Sequence, residues 1–148
     1  MIAVDSNILI YAHRRDSEWH TPAAAALGTL AASGSPWAIP WSCAHEFYSV
    51  VTHPGIYSPP STRDEACGQL DSWIASPALV MLGEDTGYWP ELREVLVTGR
   101  ISGPRVHDAR IATICMRHGV AELWTADRDF SRFAGLRTRN PLTDRGSR

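Results

Sequence analysis

Four acidic residues occupy positions where a carboxylate is expensive to bury. Asp5 directly follows the apolar run 2–4, and Asp127 follows the apolar stretch 121–125. Glu46 and Asp108 lie beside or at the head of the apolar stripe of a predicted helix. A carboxylate that loses water in such a place needs a cation or hydrogen-bond donors as partners. These acids are therefore candidates for a site that does chemistry.

The pattern of charges indicates which cation this site would take. Carboxylates gathered without interleaved basic residues raise one another's pKa, and a hard divalent cation removes that penalty. All 14 basic residues of the chain are arginines, so no lysine ammonium is available as the counter-charge. Oxygen-only ligands favour Mg²⁺, with Mn²⁺ as the alternative. Each acid alone also has a structural interpretation: Asp5 and Asp108 as helix caps, Glu46 as a surface residue and Asp127 as a turn residue.

Alternating strands and helices would bring these acids together. We predict strands at 2–4, 37–40, 79–82, 121–125 and 136–138, and we expect the strand at 79–82 to be buried. Helices are predicted at 8–12, at 22–32 with Thr21 as its cap, from 41 or 42 to about 52, at 62–75 with a capping box of Thr62 and Glu65, at 85–97 and at 108–118. This order predicts a mostly parallel sheet of about five strands in an α/β fold, covered by helices on both faces. Asp5 and Asp127 then leave the same edge of the sheet, and the helices that carry Glu46 and Asp108 start from that edge.

Length and composition point to one cytoplasmic domain. We expect residues 1–140 to form a single domain and 141–148 a flexible tail. The net charge of −2 does not mark the whole chain as a nucleic-acid binder, although a local basic patch can serve that purpose. Three widely spaced cysteines suggest reduced thiols in the cytosol. No apolar run approaches the roughly 20 residues that a membrane span requires, so no membrane partner is expected.

Four sequence blocks contain the candidate acids. The blocks are Asp5-Ser6-Asn7-Ile8-Leu9-Ile10-Tyr11-Ala12, Ile39-Pro40-Trp41-Ser42-Cys43-Ala44-His45-Glu46-Phe47, Val106-His107-Asp108-Ala109-Arg110-Ile111-Ala112 and Leu123-Trp124-Thr125-Ala126-Asp127-Arg128-Asp129-Phe130. Together they resemble PIN-domain ribonucleases, in particular the VapC toxins of toxin–antitoxin pairs. They have the order and spacing of that family and span nearly the whole chain. The resemblance implies a PIN-like three-layer α/β/α sandwich and a Mg²⁺- or Mn²⁺-dependent endoribonuclease.

The resemblance also assigns roles to residues. It implies Asp5, Glu46, Asp108 and Asp127 as the catalytic, metal-binding quartet. Ser6, Asn7, Thr125 and Asp129 are expected to support that quartet through hydrogen bonds, with the role of Asp129 the least defined. It further implies a cognate antitoxin and a homodimer.

Two observations bear on the substrate and on the alternatives. Arg128 and Arg132 lie closest in sequence to the acids, and we predict that they contact RNA phosphates. One alternative is a metal-dependent phosphotransfer domain, but its response-regulator form needs a lysine and its dehalogenase-like form needs an acid at Asn7. The other alternative is a catalytically silent PIN-like binding module, against which the intact quartet argues.

Overall fold

The computed structural model describes residues 1–143, and the residues after Thr143 lie outside this description. The predicted tail 141–148 falls mostly on that remainder. In chain order the strands and helices are β1 (Ile2–Val4), α1 (Ser6–His13), α2 (His20–Ala32), β2 (Trp37–Pro40), α3 (Trp41–Val51), α4 (Arg63–Ile74), β3 (Leu79–Leu82), α5 (Tyr88–Thr98), α6 (Val106–Arg117), β4 (Glu122–Trp124) and β5 (Thr138–Arg139). Short 3₁₀ turns at Gly103–Arg105 and Arg128–Arg132 precede α6 and follow β4. Among the described residues no helix is both long and apolar enough to cross a membrane.

The sheet is parallel throughout and its strand order is β3-β2-β1-β4-β5. Strands β2 and β3 lie on one side of β1, and β4 and β5 lie on the other side. The order therefore reverses between β1 and β4, which pair with Ala3 opposite Leu123. At such a switch point the connections leave in opposite directions, so a crevice opens beyond the carboxyl ends of the two strands. Asp5 and Asp127 follow those two ends.

Helices cover both faces of the sheet, which confirms the predicted α/β/α architecture. Helix α1 packs on α2 and α3, α3 packs on α4, and α5 packs on α6. Right-handed connections put the first four helices on one face and the last two on the other. The apolar residues of β1, β2 and β4 are buried between these layers, including Ala3, Ile39 and Leu123. Burial on both faces explains why β1 and β2 are continuous apolar runs.

Several predictions about local structure are confirmed or corrected. Thr62 accepts a hydrogen bond from the N–H of Glu65 at 3.1 Å, and the Glu65 carboxylate accepts one from the N–H of Thr62 at 3.0 Å, so the predicted capping box is present. Strand β3 was predicted to be buried, but it forms a sheet edge where Val80 is 41% exposed. Helix α5 begins at Tyr88 and not near Asp85, whose carboxylate accepts hydrogen bonds from the Arg117 guanidinium.

Candidate functional site

Asp5 is the innermost acid of the site. It follows β1, and its N–H donates to the Trp124 carbonyl on β4 at 2.9 Å. Its carboxylate then caps α1 by accepting the N–H of Ser6 at 2.7 Å. The two interpretations of Asp5, as a helix cap and as a site residue, are therefore compatible, because the same buried carboxylate serves as both. Asp5 is only 4% exposed.

Hydrogen-bond donors surround the Asp5 carboxylate. Oδ1 accepts from the Ser6 N–H, from the Ser6 hydroxyl at 3.4 Å and from the Cys43 thiol at 3.5 Å. Oδ2 accepts from the Thr125 hydroxyl at 2.8 Å and from the Asn7 amide at 3.3 Å. Burial nevertheless raises the pKa of Asp5 from 3.8 to about 6, with a further increase from the charge of Glu46. The donors lower that pKa in part, since they stabilise the charged form.

Thr125 and Asn7 connect Asp5 to the acids that follow β4. The Thr125 hydroxyl accepts the N–H of Asp127 at 3.0 Å while it donates to Asp5. The Asn7 side chain accepts the N–H of Ala126 at 3.1 Å and its amide also lies 3.3 Å from the Thr125 hydroxyl. These bonds hold the start of α1 and the segment after β4 in one arrangement.

Three carboxylates converge at the opening of this crevice. Asp108, Asp127 and Asp129 each offer an oxygen, and the three oxygens lie within 4.8 Å of one another. Asp108 is half-buried in the first turn of α6. It is not the helix cap, because that helix begins at Val106. Its pKa is raised first by burial and then by the charges of Asp127, Asp129 and Glu46, whereas His107 lowers it.

Asp129 is more central than its sequence position suggested. It was expected only to support the quartet, yet its carboxylate is one of the three that converge. Its N–H donates to the Asp127 carboxylate at 2.9 Å, so a 3₁₀ turn capped by Asp127 places the two acids side by side.

Glu46 lies at the periphery of the acidic group. Its position on α3 was expected at the edge of the buried stripe and not on the solvent face, but the residue is exposed. The buried positions of that helix are Cys43, Ala44, Phe47 and Val51. Glu46 is still close enough for its charge to raise the pKa of both Asp5 and Asp108. The structure thus brings the predicted quartet into one electrostatic group, with different degrees of burial.

The donor chemistry of the site suits a hard divalent cation. Mg²⁺ binds oxygen ligands at about 2.1 Å and keeps several waters, so two or three carboxylates at this spacing can share one ion. In the described part of the chain, the one ion pair made by the converging acids joins Asp129 to Arg132, at a loose 3.8 Å between two exposed side chains. The charge of the group is therefore largely uncompensated by protein, as a cation site requires.

The arginines predicted to contact RNA and two nearby histidines lie at the surface. Arg128 and Arg132 are exposed in the turn that carries Asp129. His107 and His45 are also exposed, and the His45 ring lies 6.2 Å from that of Trp41.

Cys43 is a contributor that the sequence interpretation missed. It was treated as a buried thiol, yet its Sγ donates to Asp5 Oδ1. Its position three residues before Glu46 on the same helix was the available signal, since residues three apart lie on one face.

Fold and site together define a parallel α/β domain with an acidic, oxygen-only centre at its switch point. The chain belongs to the PIN domain family, whose model matches residues 2–136, and within it to the VapC proteins. It is 32% identical over 142 residues to Ribonuclease VapC43 of Mycobacterium tuberculosis, covering 96% of each chain. It is 30% identical over 139 residues to Ribonuclease VapC48 of the same organism, covering 94% of this chain and 96% of the relative.

Solved structures share the fold. VapBC2 from Rickettsia felis, bound to a DNA fragment from its promoter, has a TM-score of 0.66 at 23% identity and covers 95% of this chain and 98% of that one. The Sarcin-Ricin loop cleaving toxin VapC20 of M. tuberculosis has a TM-score of 0.66 at 14% identity and covers 88% and 93%.

Proposed function

We propose that this protein is a Mg²⁺- or Mn²⁺-dependent endoribonuclease and the toxin of a toxin–antitoxin pair. The observation that carries the proposal is the convergence of Asp108, Asp127 and Asp129, of which Asp127 is bonded through Thr125 to the buried Asp5. Relatives that match nearly the full chain are named ribonucleases, which supports RNA as the substrate class.

The acids would have different roles, which follow from their burial. Asp108, Asp127 and Asp129 would hold the cation, and the buried Asp5 fixes Asp127 through Thr125. When bound, the cation supplies a water of lowered pKa and neutralises charge on the phosphoryl group.

Glu46 has the exposure that a proton acceptor needs. Its carboxylate lies at the rim of the acidic group, where water and RNA can reach it. We infer that it orients the attacking water and takes its proton. Since water and not the ribose 2′-hydroxyl attacks, the products carry 5′-phosphate and 3′-hydroxyl ends.

Positive charge for the RNA backbone would come from Arg128 and Arg132. Both are exposed beside Asp129. Each phosphate contact releases counterions, so charge reversal at both positions should flatten the dependence of RNA binding on salt. An unchanged salt slope would contradict this assignment.

The partners follow from the toxin role. A cognate antitoxin would block the acidic crevice, and one structural neighbour is the VapBC2 complex. We also propose a homodimer in the cytoplasm, which light scattering on the purified protein tests.

The decisive experiment compares Asp5→Asn with Asp64→Asn. Asp64 is an exposed acid in the first turn of α4, a helix that carries none of the site residues, so its variant is the matched control. RNA 5′ ends are sequenced after brief induction, and purified proteins are assayed with Mg²⁺ and with chelator. Asp5→Asn should reduce cleavage by about a thousandfold or more, because both charge and alignment are lost.

Two results would overturn the proposal. Full cleavage by the Asp5→Asn protein in a preparation free of host nucleases contradicts the assignment of the site. RNA binding by the native protein without any metal-dependent cleavage would instead identify a silent binding module.

A further inference from the structure

A groove of about 560 Å³ opens beside the acidic group, between α5, α6 and the segment after the Arg128–Arg132 turn. Asp108 and Asp129 line one end of it, and Met116 and Gly135 line the other. Along α6 the groove spans the eight residue-to-residue steps from Asp108 to Met116, which is about 12 Å of helix. We call this feature the α5–α6 groove. The end of the groove at Asp108 and Asp129 is therefore continuous with the candidate cation site.

The walls of the groove are mainly apolar and one of them is aromatic. Val95, Ile101, Met116 and Phe133 contribute to them. Phe133 is half-buried, and its ring centroid lies 6.1 Å from that of the buried Phe130, which holds it in place. An aromatic ring in an apolar cleft is the surface on which an unstacked nucleobase packs.

The lining of the groove carries two cations and four acids. Arg105 and Arg132 can meet phosphates, whereas Glu94 is an acid exposed on α5. Two of the lining acids have cationic partners: Glu91 contacts Arg117 at 2.6 Å, and Asp129 contacts Arg132. Asp108 and Asp129 are acids that the proposed cation would neutralise.

We propose that the α5–α6 groove binds one nucleobase of the RNA, next to the phosphate that is cleaved. This inference rests on the proposed ribonuclease function and adds a determinant of sequence preference. Asp108 and Asp129 would hold the cation that meets the scissile phosphate, so the neighbouring nucleoside would lie at the mouth of the groove. The volume is in the range of sites for small molecules and nucleosides. A stable protein interface needs about 800 Å² from each partner, which is more than a groove about 12 Å long offers.

Base recognition in this groove requires an unpaired nucleotide. A base in a regular helix is stacked on both faces and cannot enter a cleft. The occupant is therefore a base from a single-stranded segment or a loop.

The test fills the groove without touching the acids. Thr98→Trp places a large ring at an exposed lining position of α5, and Val97→Trp adds the same ring to the same helix outside the lining, at a residue that is 67% exposed. Phe133→Leu keeps apolar volume but removes the aromatic face. Each protein digests a pool of short single-stranded RNAs of random sequence with Mg²⁺, and the cleaved ends are sequenced. Thermal unfolding of each variant verifies that it folds.

The native protein should show a base preference on one side of the scissile bond. Thr98→Trp and Phe133→Leu should reduce cleavage of preferred sequences by about tenfold and flatten that preference, as expected for the loss of one stacked base. Val97→Trp should retain both rate and preference.

The outcomes separate this inference from the proposed function. No metal-dependent cleavage by the native protein overturns the ribonuclease proposal and with it the base site. Cleavage with an unchanged preference in both folded groove variants overturns only the base site. Loss of inhibition by the antitoxin with an unchanged base preference would assign the groove to a protein segment, which also overturns it.

Discussion

Helix α1 has a polar cluster at each end, and the two clusters differ in how their charges are balanced. At its start, like charges gather: the buried Asp5 is linked through Thr125 to Asp127, which converges with Asp108 and Asp129. At its end, His13 and Arg14 meet groups that complement them. The two clusters lie at the two ends of one helix of eight residues. One gathers like charges, and the other pairs its positive charge with complementary groups.

The cluster at the end of α1 is complete within the protein. The Arg14 guanidinium donates to Asp16 at 2.6 and 2.9 Å, to the Pro59 carbonyl at 3.0 Å and to the Ser61 hydroxyl at 3.3 Å. It also lies 4.3 Å from the centre of the Tyr57 ring. The two ring nitrogens of His13 contact Ser61 and Gln69.

Compensation of charge by protein groups distinguishes a structural polar cluster from a ligand site. Arg14 has a carboxylate, a carbonyl and an aromatic face, and its side chain is 11% exposed, so its burial is compensated. The acids at the other end have hydrogen-bond donors for Asp5 but little positive charge. The acids repel one another until a cation binds. The acidic cluster therefore indicates a function, whereas the Arg14 cluster indicates a contribution to stability.

The largest expected effect is a pH dependence of stability in the metal-free protein. The pKa of Asp5 is raised from 3.8 to about 6, so the folded state holds this proton more tightly than the unfolded state does. The stability that results is fully present below pH 3.8 and is lost as the pH rises through about 6. This shift corresponds to about 3 kcal/mol in the free energy of unfolding, and the raised pKa of Asp108 acts in the same direction.

Urea unfolding in chelator between pH 4 and pH 7 measures this effect. Asp5→Asn removes the titrating group and should flatten the profile relative to the native protein. Saturating Mg²⁺ should also flatten it, since the cation stabilises the charged acids. An equally steep decline in the variant would show that another group carries the pH dependence.

The second prediction disrupts the balanced cluster. Arg14→Met keeps the length of the side chain but leaves the Pro59 carbonyl and the Ser61 hydroxyl without their cationic donor. We expect a loss of about 2 kcal/mol in the free energy of unfolding. The rate of RNA cleavage by the folded protein should not change.

Arg15→Met is the control for that substitution. Arg15 is its exposed neighbour, so its replacement should alter stability by less than about 0.5 kcal/mol. Equal losses in the two variants, measured by urea unfolding, would contradict the distinction between the clusters.

The smallest expected effect concerns Cys43, whose thiol donates to Asp5. Cys43→Ala removes this donor and should weaken Mg²⁺ binding by about threefold, because a thiol is a weak donor. Cys43→Ser restores a donor of similar size and should bind Mg²⁺ as the native protein does. Titration of the unfolding temperature with Mg²⁺ gives both affinities, and equal weakening in the two variants would assign Cys43 a packing role alone.

Local signals predicted much of the fold. The apolar run before Asp5, the strand that ends at Pro40 and the capping box of Thr62 and Glu65 all form as expected, since each depends on neighbours in sequence. The start of α2 was misplaced, because Thr21 was expected as its cap but the helix begins at His20. The error concerns the exact residue at which the helix begins, and helix ends are the part of a helix that a sequence pattern places least exactly.

The sequence alone determined the family, the alternation of strands and helices, and the acids that follow β1 and β4. These properties are encoded in short motifs whose chemistry is local. Only the tertiary structure decided that β3 forms an edge, that Glu46 is exposed and that Asp129 joins Asp108 and Asp127. It alone also formed the bond between Cys43 and Asp5 and the groove beside the acids. The physical reason is that burial and the convergence of charges depend on strand order and helix packing, which join residues as far apart in sequence as Asp5 and Thr125.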